Sequence, residues 1–96
     1  SEHPGTFVEV ETESLIEVEQ AISAGADRIM LDDFSLAQIG EAVRLAAGRR
    51  PLEVSGSIGL DNVREIALTG VDYISVGALT KNVDAVDLSL RLEPAD

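Results

Sequence analysis

Three features of the 96-residue sequence predict an α/β fold of parallel βα repeats, about half of a TIM-like α/β barrel. Strand-like and helix-like segments alternate along the chain. The helix-stopping glycines Gly25, Gly48 and Gly70 recur at the length of one short βα unit. Each strand also splits into an apolar and a polar face. The apolar set is Val8, Val10, Ile29, Leu31, Val54, Ile74 and Val76; the opposite set is Glu9, Glu11, Met30, Asp32, Glu53, Ser55, Tyr73 and Ser75. Successive strand side chains point to opposite faces, so this alternation is a statement about two surfaces. A doubly wound sheet carries helices on both faces and reads apolar on both. A polar wall with helices on its outer side only belongs to a barrel, and four βα units make half of the eight-unit form.

Each element has a local cause. Residues 1–6, with Pro4-Gly5 and the lone His3, read as a flexible lead-in to a segment at 7–96. Phe7 to Glu11 alternates as a strand. Ser14 and Glu17 form a capping-box pattern ahead of the stripe Leu15, Val18, Ile22, and Gly25 ends that helix. Arg28 to Asp32 is the second strand. Ser35 with Gln38 repeats the capping pattern, Leu36, Ile39 and Val43 repeat the stripe, and Gly48 repeats the stop. After the Arg49-Arg50-Pro51 turn, Leu52 to Ser55 is the third strand. A third helix is predicted from about Asp61 to Thr69, with Val63, Ile66 and Ala67 inward and Gly70 closing it. The fourth strand ends at Val76. Gly77-Ala78-Leu79-Thr80-Lys81 follows, then a short helical turn and a mixed segment, Ala85 to Leu92. Gly25-Ala26-Asp27-Arg28-Ile29-Met30-Leu31 and Gly70-Val71-Asp72-Tyr73-Ile74-Ser75-Val76 echo each other two units apart. Strands alternating with helices give a parallel sheet.

Composition narrows the function classes. Net charge is −11, from 18 acidic against 7 basic residues, so nucleic acid and anionic membrane are poor partners. The chain has no cysteine, which removes disulfides, thiol nucleophiles and cysteine-based zinc sites. No apolar run approaches the ~18 residues of a membrane span, and no signal-peptide pattern is visible. A soluble, cytoplasmic protein is expected.

In barrels of this kind chemistry sits at the C-terminal ends of the strands. Those ends hold Glu11, Asp32 with Asp33, Ser55 to Ser57, and Gly77 to Lys81. Glu11 and Asp32 end adjacent strands with the same parity, so their carboxylates can converge on one ion or one sugar. Hard oxygen ligands suit Mg²⁺ shared with phosphates and water; the other reading of the pair is helix capping. The stretch Leu52 to Leu60 turns on Ser55-Gly56-Ser57 into a helix start, where backbone N–H groups and the helix dipole suit a phosphate. Its plain alternative is an ordinary βα turn. With the Gly77-Ala78 turn beside it, the edge describes a pocket for a phosphorylated sugar.

At these residues the sequence resembles quinolinate phosphoribosyltransferase, the decarboxylating nicotinate-nucleotide pyrophosphorylase family. The resemblance runs from about Val8 to Leu92. It rests on Val8-Glu9-Val10-Glu11, Ala24-Gly25-Ala26-Asp27, Ile29-Met30-Leu31-Asp32-Asp33-Phe34 and Leu52-Glu53-Val54-Ser55-Gly56, continuing through Thr69 to Thr80 and Asp87-Leu88-Ser89-Leu90. It implies a reaction of NAD biosynthesis in which quinolinate and phosphoribosyl pyrophosphate give nicotinate mononucleotide, pyrophosphate and CO₂. Glu11 and Asp32 match the carboxylates that hold the ribose hydroxyls and Mg²⁺. Ser55, Gly56 and Ser57 match the phosphate turn, completed by Gly77, Ala78 and the following loop to Lys81. Three departures stand out: Ser57 replaces a frequent Gly, Asp33 stands where Asn is common, and Lys81-Asn82 lies where His is frequent.

The family's quinolinate-binding arginines and lysines lie earlier in the chain than the part matched here, as does a separate domain. The sequence therefore resembles the last third of the enzyme, expected to be inactive alone and to form a homodimer or higher homo-oligomer. Two alternatives stay open: another phosphosugar-binding barrel enzyme, or a non-catalytic half-barrel that only assembles.

Overall fold

The computed structural model describes residues 7–56, 58–59, 62–76 and 79–83. The lead-in 1–6, Ser57, the helix start at Asp61, Gly77, Ala78 and the segment 85–92 lie outside them. Eight elements follow in order: β1 (Glu9–Thr12), α1 (Leu15–Ala24), β2 (Arg28–Asp32), α2 (Leu36–Ala46), β3 (Leu52–Ser55), α3 (Val63–Ala67), β4 (Tyr73–Val76) and β5 (Leu79–Asn82). One five-stranded sheet runs β1-β2-β3-β4-β5, parallel through β4. The order advances without reversal, as in a singly wound, barrel-like wall, and the helices stack on one side of it.

The caps act as their residue types dictate. Ser14 begins α1 in extended conformation and its Oγ accepts the Glu17 N–H at 3.3 Å. The reciprocal bond is displaced by one residue, because Glu17 Oε1 accepts from Glu13 N rather than from the cap itself. At α2 the box is complete: Gln38 N donates to Ser35 Oγ and Ser35 N donates to Gln38 Oε1. Gly25 closes α1 at φ 82. The stop of α2 comes one residue earlier than Gly48, at Ala47, whose φ of 50 is left-handed. The third helix is shorter than its pattern: five residues, with Asn62 rather than Asp61 ahead of it.

The sequence echo has a structural meaning. Asp27 N donates to Val8 O at 2.8 Å while Asp27 Oδ2 accepts from Val8 N at 2.8 Å. Asp72 treats Leu52 identically, with N to O at 3.0 Å and Oδ2 accepting Leu52 N at 2.9 Å. Each aspartate thus clamps the start of the preceding strand to the start of the next one, in β1–β2 and again in β3–β4. The intervening junction lacks an aspartate and uses Ile29 N to Pro51 O instead.

With register set this way, Ile29, Leu31, Leu52, Val54 and Ile74 share one face and are buried with Val18, Ala21, Ile39, Ala42, Val63 and Ile66 from the three helices. Thr12 joins this face fully buried; its hydroxyl donates to Met30 O at 2.7 Å, which removes the cost of an unpaired polar group. Val8 departs from the predicted apolar set, standing 36 % exposed at the edge.

The last unit differs from its prediction. No strand was expected at 79–82, yet β5 pairs antiparallel with β4, matching Val76 with Leu79 and Ser75 with Thr80. The reason is non-local: β4 has an open ladder on its far side, and the next stretch of chain satisfies it. No described helix is long and apolar enough to cross a membrane. Asp72→Ala removes the acceptor for a backbone N–H of the buried Leu52. A loss of about 1–3 kcal/mol in urea unfolding is expected, larger than for an exposed control such as Glu41→Ala.

Candidate functional site

The strand register decides which site residues meet. Asp32 stands directly opposite Ser55, while Glu11 stands opposite Met30. Glu11 and Asp32 are therefore diagonal neighbours on one face, one pleat apart along adjacent strands. Glu11 is exposed and Asp32 half-buried. Neither carboxylate makes a hydrogen bond or ion pair with another described residue. No group of three or more His, Cys, Asp or Glu residues gathers closely enough for a metal among the described residues. Two uncommitted hard oxygen ligands still fit Mg²⁺ in its usual protein setting, where one or two carboxylates share the ion with substrate and water.

The Ser55-Gly56 turn is held from two sides. Asp33 N donates to Ser55 O at 3.0 Å, joining the β2–α2 and β3–α3 turns. Gly56 sits at φ 125, and a Cβ there would lie 2.5 Å from Asp33 Oδ1 and 3.1 Å from Asp33 N. Only glycine accommodates both that conformation and that approach. Two N–H groups of the loop are engaged internally: Ile58 N donates to Gly56 O at 2.9 Å, and Gly59 N to Asn62 Oδ1 at 2.9 Å. With α3 only five residues long, its dipole adds little. On the helix side a cleft of about 460 Å³ opens beside this turn, bordered by Asp33, Phe34, Ser55, Ile58 and Asn62. Lys81 stands opposite Ile74, so its position belongs to the helix-side face of the sheet, and it is exposed.

The polar wall also holds a cluster that the sequence did not single out. Arg28 Nε lies 3.4 Å from Glu9 Oε2 and 3.3 Å from Glu53 Oε1. Its guanidinium packs over Phe7 at 5.0 Å and over Tyr73 at 4.4 Å. Beneath this stack Glu53 is 2 % exposed, and Thr80 Oγ1 donates to its Oε2 at 3.3 Å. Burial, and then the neighbouring Glu9 carboxyl, push the Glu53 carboxyl up from 4.5 to about 7 against the opposing pull of Arg28 and Thr80. The signal was available: Arg28 has the same parity as Met30 and Asp32 and so had to face the carboxylates. This wall does carry an arginine, but two acids already hold it.

Comparison with known proteins identifies the chain. Residues 1–91 match the model of the quinolinate phosphoribosyl transferase C-terminal domain. The chain belongs to that family. A rice protein named nicotinate-nucleotide pyrophosphorylase [carboxylating], chloroplastic, is 41 % identical, covering 90 % of this chain and 27 % of its own length. A Methanocaldococcus jannaschii protein, named as a probable nicotinate-nucleotide pyrophosphorylase [carboxylating], is 43 % identical over 88 % of this chain and 32 % of its own. The solved nicotinate-nucleotide pyrophosphorylase of Francisella tularensis superposes with a TM-score of 0.72 at 44 % identity, over 82 % of this chain and 30 % of that one. The chain thus spans about a third or less of the relatives it matches.

Linkage gives the cluster a measurable signature. Between 4.5 and about 7 the folded chain keeps a proton on Glu53 that the unfolded chain has lost. This contribution to stability is complete below the lower value and disappears as pH rises through the upper one. Glu53→Gln carries no such proton. Measured in urea from pH 4 to 8, the variant should gain on the parent by on the order of 3 kcal/mol. A pH-independent difference would refute the raised carboxyl.

Proposed function

We propose that this chain carries the phosphoribosyl and Mg²⁺ side of a quinolinate phosphoribosyltransferase site. The reaction converts quinolinate and phosphoribosyl pyrophosphate to nicotinate mononucleotide, pyrophosphate and CO₂. The observation that carries this reading is the pair of uncommitted carboxylates, Glu11 and Asp32, at adjacent strand ends beside the Ser55-Gly56 turn. Membership of the family supplies the substrate class.

Glu11 and Asp32 hold the ribose hydroxyls and are the ligands offered to Mg²⁺. When bound, that ion neutralises charge on the departing pyrophosphate. As the bond from ribose C1 to pyrophosphate breaks, positive charge develops on the ribose, and the two carboxylates stabilise it electrostatically. The pyridine nitrogen then bonds to that carbon. In the quaternised ring the bond to the 2-carboxylate breaks, CO₂ leaves, the ring takes the electron pair, and a proton replaces the lost group. Ser55 and Gly56 receive the ribosyl 5′-phosphate, a role that the family resemblance extends to Ser57, Gly77 and Ala78. The register argues against a direct contact from Lys81.

Quinolinate needs cations for two carboxylates, and Arg28 is already engaged by Glu9 and Glu53. Residues 7–96 accordingly act as the C-terminal segment of a larger TIM-type barrel. The dicarboxylate is anchored by other residues of a longer chain, in a homodimer or higher homo-oligomer that covers the polar wall. Alone, the chain binds without turning over. We assign it to the cytoplasm, supported by its acidic, cysteine-free composition, although the name of the rice relative places that protein in the chloroplast.

Calorimetric titration of the chain with phosphoribosyl pyrophosphate tests the site. Binding should require Mg²⁺ and weaken roughly tenfold or more for Glu11→Gln and for Asp32→Asn, the loss of a charge-assisted contact. Equal binding in EDTA, or indifference to both substitutions, overturns the assignment.

A further inference from the structure

The geometry points to Asp33 as a specificity-determining residue of the Ser55-Gly56 turn: its side chain sets the shape of the turn, and its charge weakens the hold on a free phosphate dianion. This inference rests on the phosphate reading of that turn and deepens it.

Asp33 follows directly on Asp32, the residue paired with Ser55. There the chain enters the left-handed region, at φ 59, a conformation that Asp and Asn adopt more readily than other residues with a side chain. The Asp33 N–H is kept on the Ser55 carbonyl at 3.0 Å, so the rotation brings the side chain across to the next turn rather than away from it. Oδ1 then lies 2.5 Å from the place where a Cβ of residue 56 would stand, with Asp33 Cα 3.2 Å from the same point. The two turns interlock, and the absence of a side chain at Gly56 is what admits the carboxylate.

That carboxylate has no hydrogen bond or ion pair with another described residue, so its charge is not neutralised locally. An anion received by the backbone at 55–56 lies about one residue from it. On the phosphate reading of the turn the backbone receives an anion, and the charge beside it opposes one. A phosphate that arrives with a cation escapes most of this penalty, which biases the turn towards metal-complexed phosphoribosyl pyrophosphate over free phosphate. Asp33→Asn separates the two effects, because Asn tolerates the same backbone and fills the same space without charge.

The test titrates the full chain, Asp33→Asn and Asp33→Ala with inorganic phosphate, and with phosphoribosyl pyrophosphate plus Mg²⁺, following the Gly56 amide by NMR. Asp33→Asn should bind inorganic phosphate roughly tenfold more tightly at low ionic strength. That gain should shrink to about twofold or less in ~0.5 M salt, with the urea midpoint unchanged and a smaller gain for the Mg²⁺ complex. Asp33→Ala should shift the Gly56 amide in the absence of any ligand. Parent and Asp33→Asn binding phosphate equally would overturn the role of the charge while leaving the phosphate turn in place. A gain that persists in high salt would overturn it as well. If neither protein binds either ligand, the phosphate reading falls and takes this inference with it.

Discussion

Register is the constraint on which the rest of this chain depends. Side chains alternate with a period of two, so a slip of one residue would turn Glu9, Glu11 and Glu53 under the helices and bring Val10 and Val54 out. Burying carboxylates against aliphatic helix faces is far costlier than any cap or turn in the chain can offset. Asp27 and Asp72 guard against the slip from the ends, each holding both polar groups of one residue in the preceding strand. The alignment of Arg28 with Glu9 follows from the Asp27 clamp, while that of Asp32 with Ser55 rests on the β2–β3 ladder and the Ile29 N to Pro51 O bond at its start.

The polar wall has two tiers with opposite chemistry. Towards the strand starts, one guanidinium is shared by two carboxyls and sandwiched by two rings, which leaves a single positive charge against two acids in a buried place. The outcome is a carboxyl that holds its proton near neutrality and an arginine whose charge is already opposed by two acids. Towards the strand ends, the carboxylates have no such partner. The same residue type is therefore structural at one height and available at the other, and what separates the two is whether Arg28 can reach.

Much of this was present in the sequence. Alternation at Glu9, Glu11, Met30, Asp32, Glu53 and Ser55 was enough to place a polar wall opposite the helices, because parity is a local property. The glycine-aspartate echo pointed to repeated units, though not to the clamps that give the echo its purpose. What stayed hidden was set by distant partners. β5 forms because β4 needs a ladder partner, and nothing within Leu79-Thr80-Lys81-Asn82 states that. α2 ends at Ala47 rather than Gly48, an exposed alanine in left-handed geometry whose N–H still closes on Val43 O, and nothing in its residue type announces that. The pairing of Arg28 with Glu53 joins residues from neighbouring strands, and only the register brings them level.

The antiparallel strand β5 makes the chain unequal as a building block. One flank of the sheet is sealed by a short strand bearing the exposed Thr80, Lys81 and Asn82, a composition that discourages further pairing. The other flank ends in β1, preceded by an exposed Phe7 and Val8. Growth of the wall is thus unequal: a complementing piece, natural or engineered, meets an open strand at β1 and a covered one at β4. A split enzyme reassembled around the described strands would find one open seam at β1, and closing a barrel at the other would require β5 to give up its place beside β4.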